Sequence, residues 1–574
     1  MQPIIGIDLG TTNSSVAVVL HDEPRTVVNA VGSRTTPSVV SLAGDGEVLV
    51  GQSARNQAVS RPEVTVRNVK RLIGTTEYCS LGGRRHSPEE ISALILKQLR
   101  SDAEAYLGAA VQDCVITVPA HFSQAQRLAT REAGRLAGLE VRRIINEPTA
   151  AALAYASELA RQARIVVYDL GGGTFDVTCL ERDGEKFAVR STLGDGALGG
   201  VEFDRMLLEH VVGEFELQAG TRLQEDRVLM QQLQELVERA KIELSSRVSS
   251  TVALPFFGRN GGTHLTCELT RELLEGLITP MLHRSVGLTE QAVEEAGFND
   301  ENGIDYLVLA GGSTRIPLVQ RYLERKLGCR PSARINPDEV VALGAALDAE
   351  LVRSASERKR VQDVTGFALG VETEGNTATV LIPRNTALPA RVTEVFTTVS
   401  DRQHSAQIHV LQGEERAASQ NNSLGRFMLA GLSEGARGEP RIEVSFDLDH
   451  DGIVTVRARD LASGVEEQTT VVPVFEEGGR EGRDRDSGRD DELRSAQRQV
   501  QRLVAYLEAQ LSKHADAIEA EFRSEIEELL QGAQHAARTL RQAARLHEYR
   551  IALETIVQEL RAVDLEAEVG NEGA

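Results

Sequence analysis

Residues 1 to about 355 alternate short apolar runs with helical stretches. Apolar runs of strand length stand at 4–7, 115–118, 165–168 and 306–309. Short apolar runs between helical segments are typical of strands that are buried on both faces of a sheet. The pattern therefore predicts an α/β domain over residues 1–355.

The hydrophobic period changes after a polar segment. Residues 353–362 read RSASERKRVQ, which predicts a linker over 356–364. From 365 to 475 apolar and polar residues alternate, and Asp451-Gly452 separates two such runs at 442–448 and 453–458. Alternation on both sides of Asp-Gly is a strong hairpin signal, so we expect a second domain made mostly of β-strands.

The C-terminal part of the chain has a third pattern. Residues 476–492 are rich in glycine and charge and lack apolar side chains, which predicts a flexible connector. Within 493–574, apolar residues recur at helical spacing on two faces, which are formed by Val500, Leu503, Val504, Leu507 and Leu511, and by Ile518, Phe522, Ile526, Leu529 and Leu530. This spacing predicts a small helical bundle.

Composition excludes several classes of protein. Hydrophobic residues make up 41% and charged residues 26% of the 574 residues, which excludes wholly disordered, collagen-like and membrane-embedded chains. The net charge is −22, whereas a general nucleic-acid or anionic-membrane binder has a basic footprint. No window approaches eighteen apolar residues, and Asp8 interrupts the stretch that a signal peptide would need. We therefore expect a cytoplasmic protein with no nucleic-acid or membrane partner.

One short pattern occurs twice in the first domain. The segments IIGIDLGTT at 4–12 and IVVYDLGGGT at 165–174 each predict a buried strand that ends in a carboxylate, Asp8 or Asp169, and is followed by a glycine turn. Glycine lets backbone N–H groups approach a phosphate closely, and neighbouring hydroxyls add donors. Two such turns facing each other would hold a polyphosphate, and the carboxylates would hold the water shell of Mg²⁺. Either copy alone fits an ordinary turn equally well, but the duplication disfavours that interpretation.

A third glycine motif, LAGGSTRIP at 309–317, also follows an apolar run. Its Arg315 carries a planar guanidinium that is suited to stacking on a base. Taken alone, this loop indicates a structural turn as readily as a nucleotide contact.

These segments together resemble one family. The DnaK-type heat-shock chaperones, the bacterial seventy-kilodalton class, carry in the same order segments similar to IGIDLGTTNS, VKRLIG, VITVPAHF, INEPTAAALAY, DLGGGTFDVT, ERAKIELSS, LAGGSTRIP and INPDEVVALGAA. The resemblance extends from residue 3 to about 475 and continues more weakly into the helical end. It implies a multidomain protein with an α/β actin-like ATPase domain, a β-sandwich peptide-binding domain and a short α-helical lid.

The resemblance implies roles for individual residues around ATP. Lys70 would reach the γ-phosphate and position the attacking water, and Glu147 would orient water or metal. Without the resemblance, Lys70 fits a solvated charge and Glu147 a charge at a helix N-terminus. Asp8 and Asp169 would hold hydrated Mg²⁺, and Asp176 would lie near K⁺. The phosphate loops would be Gly10, Thr11, Thr12 and Asn13, and Gly171, Gly172, Gly173 and Thr174. The adenine nucleoside would contact Glu238, Lys241, Ser245, Gly311, Gly312, Ser313, Arg315 and Asp338.

The β region resembles the family's peptide-binding sandwich through LGVET at 369–373, IHVLQGE at 408–414 and NNSLGRF at 421–427. That sandwich binds an extended peptide through backbone hydrogen bonds and a pocket for one large aliphatic side chain. The pocket would be formed by Val371, Phe396 and Ile408, for which sandwich core is the alternative. Glu374 and Val399 stand where the family has a methionine and a small residue arching over the peptide, and Ala406 replaces a pocket valine. These departures predict a deeper pocket that prefers basic peptides.

The segments that connect the two domains agree with the family only in part. Pro119, Arg127 and Asp363 match its interdomain relay. The family's linker of one valine and three leucines is replaced by KRVQ at 359–362, which leaves Val361 as the one apolar residue and predicts weak communication between the domains.

Two segments of the first domain also depart from the family. The stretch from Lys70 to Ser87 is shorter than usual, which predicts the loss of a β-hairpin. His121, Ser123 and Gln124 are atypical of the segment that would face a J-domain co-chaperone.

The leading hypothesis is an ATP-dependent chaperone in which slow hydrolysis controls the clamping and release of unfolded peptides. Its implied cofactors are ATP or ADP, Mg²⁺ and K⁺, and its implied partners are unfolded peptides, a J-domain co-chaperone and a nucleotide exchange factor. A nucleotide-regulated scaffold with weak interdomain coupling is an alternative, which the polar linker favours. A small-molecule kinase on the actin-like fold is another alternative, which the β domain disfavours.

Overall fold

The computed structural model describes most of the chain, namely residues 3–220, 223, 227–257, 263–299, 303–332, 334–354, 361–470, 500–501, 504, 507–508, 511, 520–539, 546, 549, 553 and 556. The chain divides into two compact units. The first comprises Met1–Glu202, Asp226–Gln232 and Leu288–Glu476, and the second comprises Phe203–Glu225, Leu233–Gly287 and Glu477–Ala574.

The strands before the β domain are β1 (Ile4–Asp8), β2 (Asn13–Leu20), β3 (Glu23–Thr26), β4 (Thr36–Pro37), β5 (Val39–Leu42), β6 (Val48–Val50), β7 (Thr65–Arg67), β8 (Cys79–Leu81), β9 (Arg84–His86), β10 (Asp113–Val118), β11 (Glu140–Asn146), β12 (Gln162–Leu170), β13 (Phe175–Asp183), β14 (Lys186–Asp195), β15 (Ser249–Phe257), β16 (Thr263–Thr270), β17 (Tyr306–Ala310), β18 (Pro331–Ser332) and β19 (Val361–Gln362). The β domain contains β20 (Leu369–Thr373), β21 (Thr377–Ile382), β22 (Ala390–Thr397), β23 (Ser405–Gln412), β24 (Asn422–Ala430), β25 (Arg441–Leu448), β26 (Val454–Asp460) and β27 (Glu466–Thr470).

The α-helices in the described part of the chain are α1 (Gln52–Ala58), α2 (Pro88–Leu107), α3 (Gln124–Leu136), α4 (Glu147–Ala154), α5 (Gly200–Ala219), α6 (Arg227–Leu244), α7 (Arg271–Glu295), α8 (Pro317–Leu327), α9 (Val340–Arg353) and α10 (Ala520–Thr539). None of these helices is long and apolar enough to cross a membrane.

Two six-stranded sheets in the first unit repeat one arrangement. In the first sheet, β1 pairs with β2 on one side, antiparallel, and with β10 on the other, parallel. In the second sheet, β12 pairs in the same way with antiparallel β13 and parallel β17. The two repeated segments that contain Asp8 and Asp169 therefore stand at the ends of equivalent strands, β1 and β12.

Small residues let helix α9 pack closely against strand β1 and helix α4. A Cβ atom on Gly6 would lie 2.1 Å from the backbone nitrogen of Ala346, and one on Gly344 would lie 1.7 Å from the carbonyl oxygen of Ala150. Ala17, Ala342 and Ala346 form a small buried cluster at the same contact. Only glycine fits at Gly6 and Gly344, so these contacts set the spacing of α9 from both neighbours.

The end of the predicted linker forms a strand. Val361 and Gln362, in β19, pair in parallel with Phe187 and Ala188 of β14, at the edge of the second six-stranded sheet. Val361 is buried and the Gln362 side chain is exposed, as expected for alternate residues of a strand. Backbone pairing does not need the apolar side chains that the linker lacks. Lys359 and Arg360 lie outside the described residues.

The predicted loss of a hairpin between Lys70 and Ser87 is wrong. Strands β8 and β9 form a two-stranded antiparallel hairpin with Cys79 opposite His86 and Leu81 opposite Arg84. Its turn, Gly82-Gly83, has positive φ at both residues. A two-residue glycine turn is sufficient for a hairpin, so the segment can be short and still contain one.

The β domain is a sandwich of two four-stranded antiparallel sheets. Their strand orders are β21-β20-β23-β24 and β22-β25-β26-β27. The predicted hairpin is confirmed, because Leu448 pairs with Val454 across the Asp451-Gly452 turn, where Gly452 has φ +73°. Buried side chains from both sheets form one core, as the alternating pattern indicates.

The second unit contains the β15–β16 hairpin and the helical C-terminal segment. In the helical segment, Val500, Val504, Leu507 and Leu511 share one buried cluster with Ile526, Leu529 and Leu530. These residues belong to the two apolar faces that the spacing predicts. Leu503, Ile518 and Phe522 lie outside the residues whose side chains are described.

Candidate functional site

The two glycine turns lie directly against each other. A Cβ atom on Gly172 would lie 2.1 Å from Thr12 Oγ1, and one on Gly173 would lie 2.7 Å from Thr11 Oγ1. Gly10, in the first turn, has so little room that a Cβ atom would lie 1.9 Å from the carbonyl oxygen of Asn13. These positions accept only glycine, because the two turns lie closer together than a side chain would allow.

Hydrogen bonds hold both turns in place. Ser38 Oγ donates to the Gly10 carbonyl at 2.7 Å, and the Gly171 N–H donates to the Thr174 carbonyl at 3.1 Å. Behind the second turn, the N–H groups of Gly200 and Val201 donate to the carbonyls of Gly171 and Gly172. The turns are therefore ordered by the protein itself, as a pre-formed anion-binding site requires.

Lys70 and Glu147 form a buried ion pair beside the turns. Lys70 lies in a short 3₁₀ helix, Val69–Arg71, and its Nζ is 2.5 Å from Glu147 Oε1 on the first residue of α4. Both side chains are buried. The interpretation of Lys70 as a solvated surface charge is therefore wrong, because tertiary packing encloses the helix that carries it.

Carboxylates that are buried or, in the case of Asp8, half-buried surround this pair. Burial and the neighbouring Glu147 raise the pKa of Asp8 to about 7. Burial, followed by the charges of Glu147, Asp176 and Asp8, raises the pKa of Asp169 well above its usual value. Burial also raises the pKa of Glu147, although Lys70 opposes this shift. Four acids so close together repel one another, and a bound cation would relieve that repulsion.

His121 is a further member of the cluster. Its ring Nδ1 lies 2.8 Å from Asp176 Oδ1, and its backbone N–H donates to the same oxygen at 3.3 Å. Burial opposes a positive charge on His121, but Asp176, together with Glu147 and Asp195, outweighs this effect and raises the pKa of the imidazole. The sequence marks His121 as atypical, and the structure shows that it holds Asp176 in position.

The arrangement fits hydrated Mg²⁺ and a nucleotide polyphosphate. The donors beside the glycine turns are carboxylate oxygens, which Mg²⁺ prefers. In the described part of the chain, no three His, Cys, Asp or Glu side chains are arranged to ligate a metal directly. The carboxylates of Asp8 and Asp169, beside the glycine turns, are oxygen ligands of the kind that fit Mg²⁺.

The third glycine motif joins the second glycine turn. Ser313 Oγ donates to the Gly171 carbonyl at 2.9 Å, and a Cβ atom on Gly311 would lie 2.4 Å from the carbonyl oxygen of Leu170. A Cβ atom on Gly312 would lie 2.9 Å from Asp338 Oδ1, the carboxylate that pairs with Arg315 at 2.7 Å. The Arg315 guanidinium is thus held with part of its surface exposed, which suits stacking on a base.

Helix α6 and the turn after it carry Glu238, Lys241 and Ser245. All three residues lie in the second unit. Lys241 pairs with Asp204 at 2.8 Å, and Glu238 is buried. The Ser245 N–H donates to the Ile242 carbonyl. The three residues share one face of α6 and its end, as their spacing predicts.

The predicted peptide-pocket residues separate into buried and exposed groups. Val371 and Ile408 are buried in the sandwich core, and Phe396 and Ala406 pack against the same core while partly exposed. Val399 is exposed. Val371 and Ile408 therefore also fit the alternative interpretation as core residues.

Glu374 has a partner that the sequence did not indicate. Its carboxylate lies 2.9 Å from the Arg437 guanidinium, and both side chains are exposed. The argument that Glu374 makes the peptide site negative is therefore incomplete, because Arg437 offsets the charge.

Two of the three relay residues, Arg127 and Asp363, make contacts between the first domain and the β domain. Arg127 is buried and donates to the carbonyl oxygens of Ala120 and Asp451 and to Asn146 Oδ1. Burial lowers the pKa of Arg127, while Asp363 opposes this shift. Asp363 accepts a hydrogen bond from Thr149 Oγ1 at 3.0 Å. The backbone at Pro119 accepts from the Phe122 N–H.

The structure adds residues that sequence reasoning missed. Arg71 bridges the Gly173 carbonyl and Glu202, and its signal was its place beside Lys70 in VKRLIG. Further polar contacts join the first domain to the β domain, namely Arg131 with Asp451, and Glu295 with Arg384 and Asn385. No local pattern distinguishes these residues from ordinary surface charges.

A comparison with protein-family models agrees with this geometry. The model described as Hsp70 protein matches residues 4–80 and 75–567. The match covers both glycine turns, the linker strand β19, the β domain and most of the helical end.

Proposed function

The chain belongs to the Hsp70 family, and from this premise we propose that it is a divergent member of the bacterial DnaK type. The protein is an ATPase that binds ATP and ADP with Mg²⁺, and an ATP-dependent chaperone that binds unfolded peptides. Its domains are proposed to be an ATPase domain at 1–355, a linker at 356–364, a peptide-binding domain at 365–475, a connector at 476–492 and a lid at 493–574.

In the proposed mechanism, backbone N–H groups of the two glycine turns hold the phosphates, and Thr11, Thr12 and Thr174 add hydroxyl donors. Asp8 and Asp169 would hold Mg²⁺, which would neutralise charge on the phosphates. The Lys70 ammonium stabilises the charge that develops on the γ-phosphoryl group, and Glu147 keeps Lys70 in place. No side chain becomes covalently modified, because water attacks the phosphoanhydride directly.

One observation carries the proposed coupling of hydrolysis to peptide binding. The second glycine turn connects β12 to β13, and the linker strand β19 belongs to the same sheet, two strands away from β13. We propose that a change in the turn reaches the strand that leads into the β domain through β13 and β14. Thr149 adds a second connection, because it lies on α4 two residues after Glu147 and hydrogen-bonds Asp363.

The peptide site is proposed to include Val371, Phe396, Ala406 and Ile408, with Glu374 and Val399 at its rim. We also propose that K⁺ binds near Asp176, that a J-domain co-chaperone and a nucleotide exchange factor act on this protein, and that it works in the cytoplasm. These proposals rest on the resemblance to DnaK-type chaperones and on the buried carboxylates around Asp176.

The test is single-turnover ATP hydrolysis by the full-length protein, with and without an unfolded peptide and a J-domain. We expect slow basal hydrolysis that peptide and J-domain together accelerate, and faster peptide release when ATP is added. Peptide binding that ATP does not change would instead support the scaffold alternative, which the polar linker favours.

A further inference from the structure

Three polar side chains lie in a row on one face of the β sandwich. Glu372 is in β20, His409 in β23 and Ser423 in β24, which are neighbouring strands of one sheet. Ile408 and Val410, on either side of His409 in the chain, belong to the sandwich core, so His409 points to the opposite face of the sheet. The row therefore lies outside the core.

Hydrogen bonds join the three side chains in series. His409 Nδ1 lies 2.6 Å from Glu372 Oε2, and His409 Nε2 lies 2.8 Å from Ser423 Oγ. An ionised carboxylate only accepts hydrogen bonds, so in the neutral imidazole Nδ1 carries the proton and Nε2 accepts from the Ser423 hydroxyl. This is the arrangement of a serine nucleophile, a histidine base and a carboxylate that orients the base.

The exposure of these side chains suits such chemistry. His409 is 7% exposed, so packing and two hydrogen bonds fix its ring. Ser423 is exposed, so a reactant can reach its hydroxyl from solvent. Water can satisfy an exposed hydroxyl, so burial does not explain why Ser423 pairs with His409.

A β-bulge sets the position of Ser423. Val410 pairs with Gly425 and Leu411 pairs with Ser423, so Leu424 has no residue opposite it in β23. Bulges redirect side chains and are frequent next to active sites. Among the described residues β24 is also the last strand of its sheet. Alternate N–H groups of an edge strand point away from the ladder, where they can stabilise an oxyanion.

We propose that Ser423 is the nucleophile of an acyl-transfer site for small carboxylic esters. Ser423 Oγ bonds to the acyl carbon while its proton moves to His409 Nε2, and the bond from the acyl carbon to the alcohol oxygen breaks. The alcohol leaves with the proton from His409. Water then repeats these steps on the acyl-serine, which releases the acid and restores Ser423. Glu372 is a positioning residue, because it acts through His409.

This activity goes beyond the chaperone function, because it needs neither ATP nor a bound peptide. Its test therefore uses the full-length protein without nucleotide. The first probe is an alkyl fluorophosphonate, from which an activated serine displaces fluoride to form a stable phosphonate ester. The second probe is p-nitrophenyl acetate, whose cleavage is followed by the release of nitrophenol.

Ser419 provides an internal control for labelling. It is exposed, and its hydroxyl oxygen accepts a hydrogen bond from Asn376. Trypsin cleaves after Arg416 and Arg426, so one peptide, 417–426, contains both Ser419 and Ser423. Fragment ions of this peptide give the label at each serine in the same sample.

We expect the fluorophosphonate to label Ser423 about tenfold or more faster than Ser419, because a positioned general base typically contributes on the order of 100-fold or more. His409→Gln and Glu372→Gln should each remove most of this difference, and Glu372→Asp, which keeps a carboxylate, should recover part of it. Ser423→Ala should lower nitrophenol release, whereas Ser419→Ala should not. If His409→Gln fails to fold, Glu372→Gln, at a partly exposed side chain, still decides the result.

Three outcomes would overturn the proposal. Equal labelling of Ser423 and Ser419 in the wild type would mean that Ser423 is an ordinary hydroxyl. Unchanged labelling in both His409→Gln and Glu372→Gln would mean that neither residue activates Ser423. Equal nitrophenol release in the wild type and in Ser423→Ala would place ester cleavage elsewhere. None of these outcomes bears on the ATPase or chaperone activity, which single-turnover hydrolysis tests separately.

Discussion

The ammonium group of Lys70 lies 2.5 Å from the Glu147 carboxylate, and both side chains are buried beside the paired glycine turns. The two residues are 77 positions apart in the chain. The pair holds a positive charge next to the turns that receive the phosphates. A buried ion pair of this kind adds little net stability, because desolvation offsets its attraction, so we attribute its presence to function.

Replacing Lys70 with alanine should abolish turnover while nucleotide binding remains. The ammonium stabilises charge in the transition state, and removing such a group typically costs on the order of 100-fold or more in rate. Single-turnover hydrolysis measures the rate, and equilibrium titration with ADP measures binding. Wild-type turnover in Lys70→Ala would contradict the assignment.

The same substitution should also destabilise the fold, because it leaves Glu147 buried without its partner. Breaking a buried pair costs about 3 to 5 kcal/mol. The double variant Lys70→Met/Glu147→Gln, which leaves neither charge, should recover most of the unfolding free energy without recovering turnover. Denaturant titration of the three proteins separates the structural role from the catalytic role.

His121 should act as a positioning residue for Asp176. His121→Phe removes the ring donor to Asp176 and keeps the ring, so we expect hydrolysis to fall about tenfold, the size expected for losing a hydrogen bond to a charged group. His121→Asn, which keeps a donor, should recover part of the rate. Wild-type turnover in His121→Phe, together with a loss in His121→Asn, would show that the ring itself, and not its hydrogen bond, is required.

Val361 should contribute to docking, by which we mean the contact between the ATPase domain and the β domain, whereas Gln362 should not. Val361 is buried in β19, and Val361→Ala removes apolar surface worth about 1 kcal/mol, so the docked-to-undocked ratio should fall roughly fivefold. Gln362→Ala is the matched control, because the Gln362 side chain is exposed. Energy transfer between dyes on the ATPase and β domains reports the docked fraction, and equal losses in both variants would contradict the role of Val361.

Docking should strengthen as pH falls through about 6. Burial, followed by Asp449, raises the pKa of Asp451 to about 6, although Arg131 and Arg143 oppose the shift. An exposed aspartate titrates near about 3.9, so the docked form binds a proton more tightly than the separated form between these values. Above about pH 7 this carboxyl is ionised in both forms, and the contribution no longer changes.

The check is the docked fraction at pH 5.5 and at pH 7.5, again by energy transfer. Asp451→Asn has no carboxyl to titrate and should lose this part of the response. A pH response of the same size in Asp451→Asn would assign it to other groups.

Peptide selectivity should depend on Arg437 as well as Glu374. The two side chains pair at 2.9 Å, so in the wild type the predicted preference for basic peptides is reduced by Arg437. Arg437→Met should increase the preference for basic over acidic peptides, and Glu374→Met should decrease it, each by about 0.2 to 1 kcal/mol, with both effects weaker at high salt. Affinities for matched peptides measure this, and identical ratios in all three proteins would exclude a role for these charges.

The sequence alone determined the local elements and the class of chemistry. Period and turn residues identified the buried strands that end at Asp8 and Asp169, the hairpin at Asp451-Gly452 and the change from an α/β domain to a β domain. These features depend on residues within about ten positions of one another, so they can be derived from spacing. The ordered set of motifs then indicated a DnaK-type chaperone, and the comparison confirms the Hsp70 family.

Only the tertiary structure decided which charged residues are buried and with which partners. Lys70 and Gln124 have the sequence context of surface residues, yet Lys70 is enclosed with Glu147, and Gln124 lies against the β domain. The end of the linker forms a strand although Val361 is its one apolar residue, and Glu374 pairs with Arg437, 63 positions away. Burial and pairing depend on which distant segments pack together, and hydrophobic period does not encode that packing, because it records which face of an element is apolar and not which segment covers it.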